Sequence, residues 1–438
     1  MDRVELARLL QASVKGMPAA GTRPPGRRPR DREVAASAIP AARMARGRRT
    51  EPTVITESDP VRFLAAFAAA AGGIGPVFLA DPNWGATERG RLDELTRQPS
   101  ARRSPTGRGW LGVPSGGSGG TLKFARHDEE TIAAAVHGFC AHFRVPQVNA
   151  VGVLPLHHVS GLMAWMRCAL TGGSYEPWPW RDLAAGHRPA INRNHWFLSL
   201  VPTQLQRLLA SAESVAWLRK FRAVFVGGGP AWPDLAVAAA RAKLPVSFTY
   251  GMTETAAMVA ALPPGEFLKG IRDCGPPLPH ARVIITPEGS VSVSGESVFR
   301  GYWPEWREER NFLSADLGQL DKRGHLRILG RNDAMIITGG KKVAPPEIEA
   351  ALRATGEFTD VAVLGVPDGE WGQAAVAFYP AKGRQPDLRK VRAELSQSVA
   401  AHLCPKRYVG VTAWPRNSQG KVNRAVLLAA LAGAGPRR

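Results

Sequence analysis

Cysteine is scarce in this sequence. Cys140, Cys168, Cys274 and Cys404 are the whole complement in 438 residues, and no two form a CxxC pair. That scatter argues against a disulfide framework or a zinc ribbon and suits a reducing, cytoplasmic setting, with each thiol expected as a buried structural group. Long apolar runs are missing too. The longest uncharged stretch, FLAAFAAAAGGIGPVFLA at Phe63–Ala80, is divided by Gly72, Gly73, Gly75 and Pro76. A short helix and a strand are predicted there, not a membrane span. The N-terminus, MDRVELARLL, carries acids and no apolar core, so no signal peptide is expected.

Acidic residues are outnumbered, 37 against 57 Lys and Arg, for a formal charge of +20. Such a surplus invites a nucleic-acid reading, and its distribution argues against one. Residues 1–50 hold 12 basic and 4 acidic side chains, and the rest of the surplus is spread thinly. This first segment, rich in Pro, Gly, Ala and Arg, is expected to be a loosely ordered basic tail; its Arg-rich, acid-poor make-up could also pass for an organellar transit peptide. No nucleic-acid partner is expected.

With 44% hydrophobic residues, the chain can bury a sizeable core and hold two or three domains. From about residue 60, apolar runs alternate with helical patterns, the mark of βαβ units around parallel sheets. Leu205–Leu218 is helical in period, Ala223–Val226 reads as a buried strand and Asp234–Lys243 as a helix. Val246–Tyr250 reads as a strand running into GMTET. Between Gly270 and Gly330 short strands (ARVIIT, SVSVSG, GHLRILG) predict a small β-subdomain. Beyond GRND, at Gly330–Asp333, a compact α+β unit is expected, with helices at Pro346–Arg353 and Leu388–His402. The predicted fold class is therefore α/β: a large domain over 51–331 with parallel sheets and a β-subdomain, then a small α+β domain over 332–438.

Two motifs carry chemistry on their own residues. In PSGGSGGTLK, at Pro114–Lys123, glycines let successive N–H groups turn inward as a nest for phosphate oxygens. Ser115, Ser118 and Thr121 add hydroxyls and Lys123 a charge; the spacing is not that of a Walker A loop. In YGMTET, at Tyr250–Thr255, the Tyr250 ring can lie against an adenine, Thr253 can bond a phosphate oxygen, and Glu254 can hold Mg²⁺. Gly251 in this motif and Gly227, Gly228 and Gly229 fall beyond predicted strand ends, where ligands bind in such sheets. A structural alternative for Thr253 is the N-cap of a helix over AAMVAAL.

These motifs, with SADLG at Ser314–Gly318, GRNDAMIITGGKKVAPPEIE at Gly330–Glu349 and PRNSQGKVNR around Lys421, resemble in order the adenylate-forming superfamily of acyl-CoA synthetases and luciferases. Within it, LPLHHVSGL, SLVPTQLQRLL and FVGGGP look most like the 2-succinylbenzoate–CoA ligase branch. The resemblance covers roughly residues 105 to 430 and departs from the family pattern at Gly119, Leu122 and Ala315.

The resemblance implies ATP, Mg²⁺ and CoA as reactants and cofactor, with 2-succinylbenzoate as the acid, in menaquinone or phylloquinone synthesis. It implies Asp316 as the ribose ligand, Arg331 as a second ribose or phosphate contact, and Asp333 as the hinge. Lys421 becomes the mobile lysine of adenylation. Gly339, Gly340 and Lys341 (or Lys342) become the loop that lines the CoA channel, and His158 the gate of the acyl pocket, with no metal role for want of a third ligand at sensible spacing. Ser160, Thr203, Gln204 and Arg207 are candidates to hold the second carboxylate of the acid. Two other readings stay open: a ligase for another aromatic or fatty acid, and a non-catalytic, nucleic-acid-associated protein. Oligomeric state is not legible.

Overall fold

A computed structural model describes residues 1–15, 17, 51–98, 108–116, 122–191, 195–229, 232–416 and 422–433. Among the described residues nineteen strands form four sheets. The first sheet runs β1 (Thr53–Ile55), β2 (Val77–Leu79), β3 (Leu111–Gly116) and β4 (Leu122–His127), parallel until β3 and β4 close an antiparallel pair. The glycine-rich motif is the connection of that pair.

The second sheet holds β5 (Asn149–Gly152), β6 (Tyr175–Pro177), β7 (Trp196–Leu200), β8 (Ala223–Val226), β9 (Val246–Met252) and β10 (Ala257–Ala261). Its order is β10-β9-β8-β7-β5-β6, parallel except for β10. Helices cover both faces, as a parallel sheet requires. One apolar core joins helices Pro60–Ala71, Glu129–Phe143 and Val159–Leu170 to one face. A second core, around Leu205, Trp217, Leu218 and Leu235, covers the other.

The third sheet is an antiparallel meander of β11 (Ala281–Ile285), β12 (Ser290–Gly295), β13 (Asn311–Leu320) and β14 (Leu326–Arg331). The fourth comprises β15 (Ile336–Thr338), β16 (Lys341–Val343), β17 (Ala362–Asp368), β18 (Gly372–Pro380) and β19 (Arg407–Val411) and has cores of its own. The α/β class expected from the sequence is borne out.

Several expectations need correction. The loosely ordered segment expected from residue 1 does not hold at its start: Arg3–Lys15 is a helix that buries Leu6, Ala7 and Leu10. Leu6 and Leu10, four residues apart, form an apolar stripe. Arg3 fixes it by donating to the carbonyls of Ala70, Ala71 and Gly75, at and just past the end of helix Pro60–Ala71, a favourable place for a cation. Residues 18–50 lie outside the described residues.

The helix expected over Leu205–Leu218 is two, Pro202–Leu209 and Ala212–Leu218. Ser211 breaks it by accepting the Ser214 N–H as an N-cap. AAMVA does not continue Thr253 as a helix. It returns as β10 against β9, because Ala256 and Ala257 take positive φ and turn the chain. The helix expected over Leu388–His402 ends at Ser398. The ten-residue β13, which carries Asp316, was hidden by its polar, non-alternating sequence. Of the thiols only Cys168 is fully buried.

Candidate active site

Strands β5, β7, β8 and β9 run parallel, and the segments singled out in the sequence leave their carboxyl ends. His157 and His158 follow β5, Thr203 and Gln204 follow β7, Gly227–Gly229 follow β8, and Thr253–Thr255 follow β9. The crevice beyond such ends is where α/β sheets take ligands. Two glycines permit the close turns. Gly228 sits at φ +77°, and a Cβ on Gly251 would lie 1.8 Å from the Ala257 carbonyl.

Thr253–Thr255 form a single 3₁₀ turn, closed by Met252 N–H on Thr255 Oγ1 at 3.1 Å. Ala256 and Ala257 at φ 50° and 76° hold it in strain on the order of 1–3 kcal/mol each. Glu254 is 6% exposed, and its Oε1 accepts from Ser115 at 2.7 Å and from Tyr302 at 2.6 Å. Lys123 Nζ lies 5.0 Å from the centre of the Tyr302 ring. The strands flanking the glycine-rich connection thus meet the Thr-Glu turn. Behind it, buried His127 reaches the Thr253 carbonyl through Nε2 at 2.7 Å, so that nitrogen carries the proton. Burial lowers the His127 pKa and keeps the ring neutral.

A second group assembles by register. Asp316 on β13 pairs across the sheet with Arg331 on β14. The Tyr250 hydroxyl donates to Asp316 Oδ2 at 2.8 Å, and Arg331 Nη1 stands 3.4 Å from Oδ1. The Arg331 guanidinium also forks onto Asp333 at 2.9 and 2.6 Å. Hydrogen bonding to Asp333, then the charge of Asp316, raises the Arg331 pKa against burial; burial, then the charge of Asp316, raises that of Tyr250. Residues scattered over 83 positions, from Tyr250 to Asp333, are therefore one network.

The surroundings of helix Val159–Leu170 are different in kind. Arg167, in the last turn of that helix, is 5% exposed, and its guanidinium lies 4.4 Å from the Phe139 ring centre. Its Nε has no hydrogen-bond partner, and among the described residues no carboxylate pairs with it. Burial pushes its pKa down to about 10. Arg167 and Ser199 line a cavity of about 10 Å³, with Phe139, Phe197 and Phe225 among the walls. That is room for about one water. His280 is pushed down to about 4 by burial and by Arg167 and His142. Arg167 is the charged group of this region, beside imidazoles that burial keeps neutral.

The remaining candidates divide. Ser160 and Thr203 are half-buried in first turns of their helices. Gln204 is occupied locally, its Oε1 accepting the Val201 N–H at 3.0 Å. Arg207 points out to solvent. His158 stands just before helix Val159–Leu170, its ring 4.3 Å from that of His157. Gly339 and Gly340 form the exposed β15–β16 turn at φ 55° and 77°, with Lys341 and Lys342 exposed beside it. Ser118, Thr121 and Lys421 lie outside the described residues. His127, Arg167, Ser199 and Tyr302 were passed over in the sequence. A lone arginine within an otherwise apolar helix was the available signal for Arg167; the others have none at short range.

A family model described as AMP-binding enzyme matches residues 113–303, and one described as AMP-binding enzyme C-terminal domain matches 347–421. Between them they take in more than half the chain. The chain belongs to the AMP-binding enzyme family. A 2-succinylbenzoate–CoA ligase of Geobacillus kaustophilus is 33% identical over 293 residues, covering 63% of this chain and 60% of the relative. The chain thus spans about three-fifths of the length of the curated relatives it matches. Among solved structures, an o-succinylbenzoate CoA synthetase from Bacillus subtilis with its acyl-adenylate intermediate has a TM-score of 0.74 at 20% identity. It covers 90% of this chain and 92% of its own. ATP-bound MatB from Rhodopseudomonas palustris has a TM-score of 0.75 at 24% identity, covering 100% of both chains. These structures establish the adenylate-forming fold. Among the described residues no helix is long and apolar enough to cross a membrane.

Proposed function

We propose that this AMP-binding family member is a 2-succinylbenzoate–CoA ligase working through an acyl-adenylate, in the cytoplasm and in service of menaquinone or phylloquinone synthesis. The supporting observation is Arg167. A buried guanidinium without a carboxylate is costly, and an acid with two carboxylates supplies what it lacks: one carboxylate meets Arg167, the other faces the nucleotide. The names of the curated relatives point to the same acid.

In the first step a carboxylate oxygen attacks the α-phosphorus of ATP and pyrophosphate leaves. Asp316, held by Tyr250 and Arg331, accepts from the ribose hydroxyls. Ser115, Thr253 and Lys123, with Ser118, Thr121 and the glycine backbone, hold the phosphates. One buried carboxylate flanked by hydroxyls fits Mg²⁺, which Glu254 would hold and which would neutralise phosphate charge. Lys421 faces the charge that develops at the α-phosphate. In the second step the CoA thiolate attacks the acyl carbonyl and AMP leaves. The small domain, 332–438, turns about Asp333 and brings Gly339–Lys342 in place of Lys421.

Pyrophosphate release with ATP, Mg²⁺ and a panel of acids tests the reading. Release with 2-succinylbenzoate, and loss on methyl esterification of its ring carboxylate, is expected. Equal release with a monocarboxylic aromatic or fatty acid moves the assignment to another acid. No release with any acid sinks it.

A further inference from the structure

We infer that Asp81, His157 and His158 form a site for a divalent transition metal of the zinc type, separate from the Mg²⁺ that accompanies ATP. Two adjacent histidines alone make a poor site, and the fold supplies a third donor from 76 positions away. Asp81 lies just past the carboxyl end of β2 in the first sheet, and the histidines follow β5 in the second. Their donor atoms all fall within 4.8 Å of one another. Ligands at zinc-bond lengths around a tetrahedral ion stand roughly 3.4 Å apart, so side-chain adjustment suffices to close the set.

Two further observations point to a ligand. His157 is 6% exposed, and its Nε2 makes no hydrogen bond although Asp81 Oδ2 is 3.4 Å away. Asp81, itself 7% exposed, is oriented through its other oxygen, which accepts from Asn83 N–H at 2.9 Å and Nδ2 at 3.1 Å. That is the outer-shell support a metal-binding carboxylate needs. Two imidazoles and one carboxylate favour zinc, cobalt or nickel over magnesium or calcium. The other cluster of similar make-up, Asp273, Asp321 and His325, already holds a cation: Arg323 stands 3.1 Å from Asp321 and 3.8 Å from Asp273.

The consequence rests on the reading of His158 as the gate of the acyl pocket. A metal that takes His158 pins it toward Asp81, so it inhibits adenylation until a chelator removes it. Binding itself does not depend on that reading.

The test is titration of the untagged full chain with Co²⁺, followed by its visible absorption, with Zn²⁺ as displacer and millimolar Mg²⁺ present. One equivalent per chain is expected, displaced by Zn²⁺ and indifferent to Mg²⁺. His157→Ala and half-buried His158→Ala each weaken binding at least ~100-fold, more than loss of an outer-shell partner; thermal melting without metal shows that each variant is folded. Absence of saturable Co²⁺ binding, or binding unchanged in folded His158→Ala, overturns the site. Pyrophosphate release with and without Zn²⁺ separates the two ideas. Binding without inhibition keeps the site and ends the gating role; release in a chain that binds no metal keeps the ligase and ends the site.

Discussion

The two sides of the site, nucleotide and acid on the proposed function, handle charge in opposite ways. On the nucleotide side each ionised group has a partner: Glu254 has two hydroxyls, and Asp316 has Tyr250 and Arg331, which also holds Asp333. On the acid side a guanidinium is buried against an aromatic ring, with two histidines nearby and no carboxylate among the described residues. Pre-paired polar groups are stable without ligand and exchange partners when one arrives. An unpaired buried cation is a cost the fold carries for a ligand. On the proposed function, the first arrangement suits a nucleotide used by many enzymes and the second selects an acid.

The sharpest break between the two sides comes from Lys421→Ala. On the proposed mechanism the lysine acts only on charge developing at the α-phosphate. Pyrophosphate release should fall about 10²–10³-fold, while CoA transfer from preformed acyl-adenylate persists. Equal loss in both half-reactions would make the residue structural.

Arg167→Met tests the acid side. The expected loss in kcat/KM for the dicarboxylic acid is about 10–100-fold, the worth of a hydrogen bond to a charged group. A monocarboxylic analogue should be unaffected. Stability should move the other way, because an apolar side chain of similar volume replaces a desolvated charge, a gain of up to about 1–4 kcal/mol. A fall in both activity and melting temperature would return Arg167 to the core.

The sequence made one side legible and left the other dark for a physical reason. Tyr250–Thr255 and Ser115–Lys123 are short stretches whose chemistry lies within a few residues, so both were legible, and Ser115 and Glu254 do meet in the fold. The Asp316–Arg331 pair depends on cross-strand register, and β13 alternates too weakly to be read. Arg167 and Ser199 meet through the packing of a helix on β7, which no local pattern encodes. Arg207, exposed on its helix, shows the limit of reading specificity from a segment that resembles a pocket wall.

The same buried positive region predicts an acid sensitivity. An imidazole titrates near 6.5 when unfolded, and His280 is pushed down to about 4. Between those values the unfolded chain binds a proton that the fold refuses. Stability should therefore fall as pH drops through 6.5 to 4 and level off below, by on the order of 1–3 kcal/mol from this residue. Denaturant melts across that window should show a shallower slope for His280→Asn. Parallel slopes would mean that the ring takes its proton in the folded state.

The smallest effect belongs to the nucleotide side, and it asks whether pre-pairing there positions a ligand or merely fills space. Ser115 and Tyr302 both donate to Oε1 of Glu254, which turns Oε2 toward any metal that arrives with the phosphates. Tyr302→Phe removes one donor and keeps the ring under Lys123, so packing is preserved while the carboxylate gains a rotation. The Mg²⁺ concentration for half-maximal pyrophosphate release should rise about 3- to 10-fold, at the low end of what losing an outer-shell partner costs. The rate at saturating Mg²⁺ and ATP should change little, since the carboxylate is still present. An unchanged Mg²⁺ dependence with a lowered maximal rate would mean that Tyr302 acts on the phosphates through Lys123 instead. The nucleotide side would then resemble the acid side in using a cation, not a carboxylate, as its organising charge.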